Sequence, residues 1–136
     1  MFKIDIHTHI LPENLNEITS RYSDSRFLKI DPIDDVSAML NKDGQAFRKV
    51  DCNCWNHHIR IKDCENTQVN MQVLSTIPVL FSYWAVEHEC QTLAQFINDH
   101  IAKICRIDSQ RFIGLGTIPM QNPDMAISEM DRCINT

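Results

Sequence analysis

Apolar positions in this chain fall into two rhythms, one of period two and one between three and four. Phe2, Ile4 and Ile6 alternate with Lys3 and Asp5, which predicts a first strand over residues 2–7. Residues 14–22 predict a short helix. Three strand-like runs follow at residues 27–30, 36–40 and 45–50, with Lys42-Asp43-Gly44 as a tight-turn signal between the last two. They predict a small antiparallel meander over residues 27–50. Residues 56–68 carry a helical pattern with Ile59 and Cys64 on its apolar face. Residues 71–77, closed by Pro78, predict a second buried strand. Across residues 87–107, Leu93, Phe96, Ile97, Ile101 and Ile104 recur at helical spacing and predict a long helix. Residues 112–118, closed by Pro119, predict a third strand, and Pro123 opens a last helix through Ala126, Ile127, Met130 and Cys133.

The predicted order is strand, meander, helix, strand, helix, strand, helix. Strands alternating with helices make parallel βα units, and the second and third strands read as near-continuous apolar runs, as parallel strands do. The expected class is α/β: the first three βα units of a (β/α)8 TIM barrel, with an antiparallel β insertion at residues 27–50 after the first strand. A complete barrel takes about 250 residues. Residues 1–136 are therefore expected to form the N-terminal part of a barrel that is itself incomplete.

Composition narrows the partners. The chain carries 13 Lys+Arg and 18 Asp+Glu, a net charge of −5, and no basic block, so nucleic acid is not an expected partner. Its longest apolar-leaning stretch, residues 73–86, is broken by Ser75, Thr76, Ser82 and Tyr83 and is too short to cross a bilayer. No secretory signal pattern opens the chain, and a soluble cytoplasmic protein is expected. Cys64, Cys90, Cys105 and Cys133 fall in helix-like segments and are expected as reduced thiols. Cys52-x-Cys54-x-x-His57-His58 lacks the spacing of a zinc finger and reads as a loop entering a helix.

His7-Thr8-His9 carries the chemistry. Residues i and i+2 of a strand project from one face, about 7 Å apart at Cα, a workable spacing for two ligands on one metal. The pair lies at the C-terminal end of the first strand, where barrels place their active sites. Ser75 and Thr76 end the second strand, and Thr117 and Met120 lie at the end of the third. His88 and His100 read as helix-surface residues. Arg48, on the last run of the meander, is either solvent-facing or a bidentate clamp for a carboxylate. Lys42 at the hairpin turn could add a weaker cationic contact. Phe81, Tyr83 and Trp84 read as packing beneath a loop or as a pocket wall. The glycines of residues 112–118 read as packing positions, since no Gly-x-Gly-x-x-Gly is present.

Residues 3–12 around His7-Thr8-His9, the hairpin Lys42-Asp43-Gly44-Gln45-Ala46-Phe47-Arg48, the Leu74-Ser75-Thr76-Ile77-Pro78-Val79 segment and residues 111–121 together resemble the aminocarboxymuconate-semialdehyde decarboxylase family of the amidohydrolase superfamily. The resemblance implies a zinc-dependent, non-hydrolytic decarboxylase. It would act on 2-amino-3-carboxymuconate 6-semialdehyde in tryptophan (kynurenine) degradation, limiting quinolinate and NAD synthesis. His7 and His9 would be zinc ligands, and Arg48, with Lys42, would bind a small anionic carboxylate substrate. A third histidine and an aspartate would complete the metal site, another histidine would handle protons, and a homodimer partner would add an arginine. No catalytic residue is expected within these 136 residues, and the chain alone is expected to be inactive. Two alternatives are another amidohydrolase-superfamily hydrolase or aromatic-acid decarboxylase, and a truncated, non-catalytic partner of the full-length enzyme.

Overall fold

In the computed structural model, which describes residues 1–135, the elements run β1 (Ile4–His9), α1 (Asn16–Thr19), β2 (Lys29–Asp34), β3 (Ser37–Lys42), β4 (Gln45–Asp51), α2 (His57–Thr67), β5 (Met71–Ser75), α3 (Glu87–Ile107), β6 (Phe112–Gly114) and α4 (Pro123–Ile134). They build two three-stranded sheets. β1, β5 and β6 pair in parallel in that order, and β2, β3 and β4 form an antiparallel meander. The chain is thus α/β, with the antiparallel sheet lying in sequence between the first two parallel strands. No helix among the described residues is long and apolar enough to cross a membrane.

Local chemistry explains the boundaries. Asp43 (φ 55°) and Gly44 (φ 71°) form the two-residue turn joining β3 to β4, with Lys42 paired to Gln45. Two consecutive left-handed residues match the twist of a hairpin, and Asp-Gly supplies them at low cost. Asn56 caps α2 by accepting from the His58 and Ile59 amides, and Asn122 caps α4 by accepting from Met125. α3 buries Cys90, Leu93, Ala94, Ile97, Asn98, Ile101 and Ile104. Leu93, Ile97, Ile101 and Ile104 join Leu74, Phe112 and the Ile10–Leu11 turn in the core.

Several expectations are corrected. The second parallel strand ends at Ser75, not 77, and the first strand of the meander covers Lys29–Asp34 rather than residues 27–30. The first strand runs to His9, not 7, because His9 still pairs with Ser75. The helix expected over residues 14–22 holds only Asn16–Thr19. Asn16 is tied sideways to β2, donating to the Ile30 carbonyl at 2.7 Å and accepting from its amide at 2.9 Å. The third strand stops at Gly114, not 118. Asn98 of α3 takes both backbone groups of Thr117, so that residue has none left for a ladder. His100 is not a helix-surface residue: it sits half-buried, bonded to the Leu11 backbone, with Nε2 enclosed and without a hydrogen-bond partner. Burial first, then the neighbouring Lys103 and His57, lower its pKa to about 4. His88 is exposed, as expected.

All six cysteines are free thiols, and residues 52–54 form a single 3-10 turn leading to α2. Trp84 packs on Phe27 at 4.8 Å between ring centroids and carries the Arg26 guanidinium 4.1 Å from its ring centroid, so Trp84 serves as packing. A Cβ on Gly114 would stand 2.7 Å from Ile101 Cγ2, and one on Gly116 would stand 3.3 Å from Cys133 Sγ, so both glycines let helices approach the sheet.

Candidate metal and carboxylate site

β1 is not a regular strand. Its pairing with β5 passes from Asp5–Gln72 to Thr8–Leu74, so one extra residue is accommodated at Ile6-His7. Such a bulge bends the strand and re-aims its side chains. His7 is exposed and His9 half-buried, and their rings meet edge to face with centroids 5.1 Å apart. Two imidazoles on one tetrahedral metal, each at about 2.1 Å from nitrogen to metal, would have centroids about 5 Å apart. The ring spacing is that of two imidazoles sharing one ion. Among the described residues no group of three or more His, Cys, Asp or Glu could hold a metal.

His9 is held from several directions. Its Nδ1 lies 3.0 Å from Ser75 Oγ, and that hydroxyl lies 3.0 Å from the Thr8 carbonyl oxygen. Thr8 donates its own hydroxyl to the Val73 carbonyl, sewing β1 to β5 beneath the pair. The His9 carbonyl accepts from Arg60 Nη2 at 2.6 Å. Arg60 is 9% exposed and also donates to the Asn53 carbonyl at 3.1 Å and to Gln72 Oε1 at 3.4 Å. Burial lowers the Arg60 pKa, but a guanidinium remains charged in a protein.

The meander closes the other side. A cavity of about 480 Å³ is lined by His9, Leu40, Phe47, Arg48, Cys54 and Ile77, among others. β4 carries a bulge here: Leu40 pairs with Arg48 but Asn41 pairs with Ala46, leaving Phe47 as the extra residue. Arg48 is exposed, lines this cavity and makes no hydrogen bond or ion pair with any described residue, so its five donors are unused. Burial pushes the Cys54 thiol pKa up, which keeps it protonated and a poor metal ligand.

Lys42 does not join this cavity; Lys49 lines it instead. The turn beside Lys42 is anchored away from His9, with the Asp43 amide donating to the Ser25 carbonyl at 2.8 Å. The structure thus brings His7, His9 and Arg48 to one end of the fold and leaves Lys42 aside.

No protein-family model matches the chain. Two curated relatives match it along nearly its whole length. A 2-amino-3-carboxymuconate-6-semialdehyde decarboxylase of Dictyostelium discoideum is 43% identical over 132 residues, 97% of this chain and 37% of that protein. Its namesake in Caenorhabditis elegans is 38% identical over 125 residues, 92% of this chain and 31% of that protein. The chain is homologous to these decarboxylases. It spans between 31% and 37% of their length. Solved structures share its fold. A 5-carboxyvanillate decarboxylase from Novosphingobium aromaticivorans, complexed with manganese and 4-hydroxy-3-methoxy-5-nitrobenzoic acid, superimposes with a TM-score of 0.67 at 18% identity, over 96% of this chain and 38% of that one. A dihydroxybenzoic acid decarboxylase from Polaromonas, with bound manganese and 2-nitroresorcinol, gives 0.62 at 21% identity, over 98% and 35%.

Of the two residues that support the site, Arg60 was not singled out from sequence and Ser75 was named only for its place at a strand end. Arg60 reads as one more charge on a polar helix; the available signal was its i, i+4 spacing to Cys64 on the buried face. Ser75 was visible at a strand end, but its partner depends on the β1–β5 register.

Proposed function

We propose that this segment is the metal-binding and carboxylate-binding opening of a zinc-dependent decarboxylase acting on 2-amino-3-carboxymuconate 6-semialdehyde, and so part of tryptophan degradation upstream of quinolinate and NAD synthesis. One observation carries the reading: the His7–His9 pair and an unpaired Arg48 converge at one end of the fold, His9 and Arg48 on a single cavity. The 43% and 38% identical relatives bearing that name supply the substrate. In this reading β1, β5 and β6 are the first three parallel strands of a (β/α)8 barrel, and the meander is an insertion over its mouth.

His7 and His9 would hold the metal, each through one ring nitrogen. When bound, a divalent ion supplies Lewis-acid stabilisation of negative charge as carbon dioxide departs. Arg48 grips a substrate carboxylate in bidentate fashion, which fixes the anion and offsets the chain's net charge of −5 locally. Phe47 and Leu40 give the cavity an apolar wall, which strengthens the ion pair by excluding water. The remaining ligands, the proton-handling histidine and a second arginine from a homodimer partner belong to other parts of the enzyme.

The test uses the protein that carries this segment together with the rest of a barrel. Zinc-loaded enzyme should decarboxylate the semialdehyde, and Arg48→Ala should raise KM by about tenfold or more. The 136-residue chain by itself should show no turnover. Tight one-to-one zinc binding with turnover by that chain would refute the divided site. The fold neighbours favour a second reading, decarboxylation of an aromatic acid. Turnover of a dihydroxybenzoate or carboxyvanillate but not of the semialdehyde would select it.

A further inference from the structure

The two contacts of Ser75 Oγ determine which nitrogen of His9 faces outward. A serine hydroxyl has one proton to donate. The Thr8 carbonyl, 3.0 Å away, can only accept, so the Ser75 proton is directed there. The same oxygen lies 3.0 Å from His9 Nδ1 and must accept from it. The His9 ring therefore carries its proton on Nδ1, and Nε2 holds the free lone pair. A ligating imidazole needs this arrangement, and the partner of its other nitrogen normally sets it. Ser75 sits directly across from His9 in the β1–β5 register, so the hydroxyl's position is set by the sheet. The Thr8 hydroxyl, bonded to Val73, holds the same pair of strands together.

We infer that Ser75 is the positioning residue of the metal site: it fixes the Nδ1–H tautomer of His9 and thereby presents Nε2 as the ligating atom. The inference rests on the metal reading for its purpose but not for the tautomer itself. Arg60 complements it by holding the His9 carbonyl at 2.6 Å, so ring and backbone are fixed by different groups.

The experiment is two-bond proton–nitrogen NMR on the full chain labelled with 15N-histidine, without metal and during titration with zinc chloride. In the wild type, His9 should show a protonated Nδ1 and an unprotonated Nε2, and zinc should move the Nε2 resonance while Nδ1 stays protonated. Ser75→Ala should redistribute the ring toward the Nε2–H tautomer and weaken zinc binding by about ten- to a hundredfold. Ser75→Thr keeps the hydroxyl and should restore both. A wild-type His9 protonated on Nε2 would overturn the proposal, as would a Ser75→Ala chain with unchanged tautomer and zinc affinity. If Ser75→Ala fails to fold, the wild-type spectrum and Ser75→Thr still decide. Zinc that moves neither nitrogen of a correctly protonated His9 sinks the metal reading and leaves the tautomer assignment standing.

Discussion

His100 links the helical layer to the turn that follows the candidate site, and it should make the fold acid-sensitive. Its ring lies against the Leu11 backbone with Nε2 enclosed and unbonded, next to His57 and Lys103. Burial is the main reason its pKa falls from 6.5 to about 4; the two neighbours add to it. The direction for stability follows by linkage. Above about pH 6.5 the ring is neutral in both states and nothing is lost. Between that value and about 4 the unfolded chain takes up a proton that the folded chain refuses, so stability falls as pH falls. At pH 5 the full difference corresponds to about 2 kcal/mol, and discounting for the ring's residual solvent access leaves about 1–2 kcal/mol. Urea unfolding at pH 7.5 and pH 5, at constant ionic strength, measures it. His100→Gln cannot titrate and should lose about 1–2 kcal/mol less than the wild type between those pH values. Equal losses in the two proteins would show that the His100 ring is hydrated or protonated in the folded state, and the argument from its burial would be wrong. His57, whose pKa is also lowered by burial, acts in the same direction below about pH 6.5, so His57→Gln serves as the companion variant.

Three further outcomes follow from the packing. Arg60→Met leaves the His9 and Asn53 carbonyls without their donor and should cost about 3 kcal/mol by urea unfolding, with a displaced His9 amide resonance; Arg60→Lys should recover only part, since an ammonium cannot span the three acceptors as a guanidinium does. Gly114→Ala puts a methyl group 2.7 Å from Ile101 Cγ2 and should lower stability by about 1–3 kcal/mol, read as a fall in Tm. Glu129 is fully buried, yet Arg132 and Asn98 bond its carboxylate strongly enough to outweigh burial and hold its pKa below the usual glutamate value. Glu129→Gln should therefore cost about 2 kcal/mol at neutral pH. The gap between variant and wild type should close as pH falls through the lowered value, as paired acid-unfolding curves would show.

Elements governed by local chemistry were legible in the chain. The α3 period, the Asp43-Gly44 turn and the Pro123 start of α4 are decided by residues within a turn or two of each other, and the structure places each where expected. What escaped depends on contacts between residues distant in sequence. The β1 bulge exists only in relation to β5, and the β4 bulge only in relation to β3. Asn98 stops β6 from 19 residues away along the chain. Arg60 and Glu129 carry charges that place them on solvent faces by composition, and both are buried because fixed partners satisfy them. α4 shows the consequence. Its buried residues are Ala126 and Glu129, while Ile127 and Met130, the larger apolar side chains, lie exposed. At the site, the histidine pair and Arg48 were readable as residue types. Their support, Ser75 and Arg60, became readable only once the register between β1 and β5 was known.

The register also says which way the candidate site faces. Leu74 and Thr8 are paired and buried toward the helices, so their sequence neighbours point to the opposite face. That face carries Ile4, Val73, Ile113 and Leu115, with Ile6 at the bulge 76% exposed. His9 and Ser75 end the same row. A parallel sheet is stable when both faces are covered, and an apolar row of this kind has no role in contact with water. The face opposite the helices is thus built as an interior, and His9 stands at its C-terminal rim. The rim of a barrel is where βα loops gather reactive groups from several strands. An apolar face beneath the pair and an exposed arginine beside it suit the proposed carboxylate, because charge is attracted most strongly where water is least able to screen it. The exposed isoleucines and the histidine pair are therefore two consequences of one sheet orientation. A function that used His7 and His9 without covering Ile4, Ile6 and Ile113 would leave the larger part of that design unexplained.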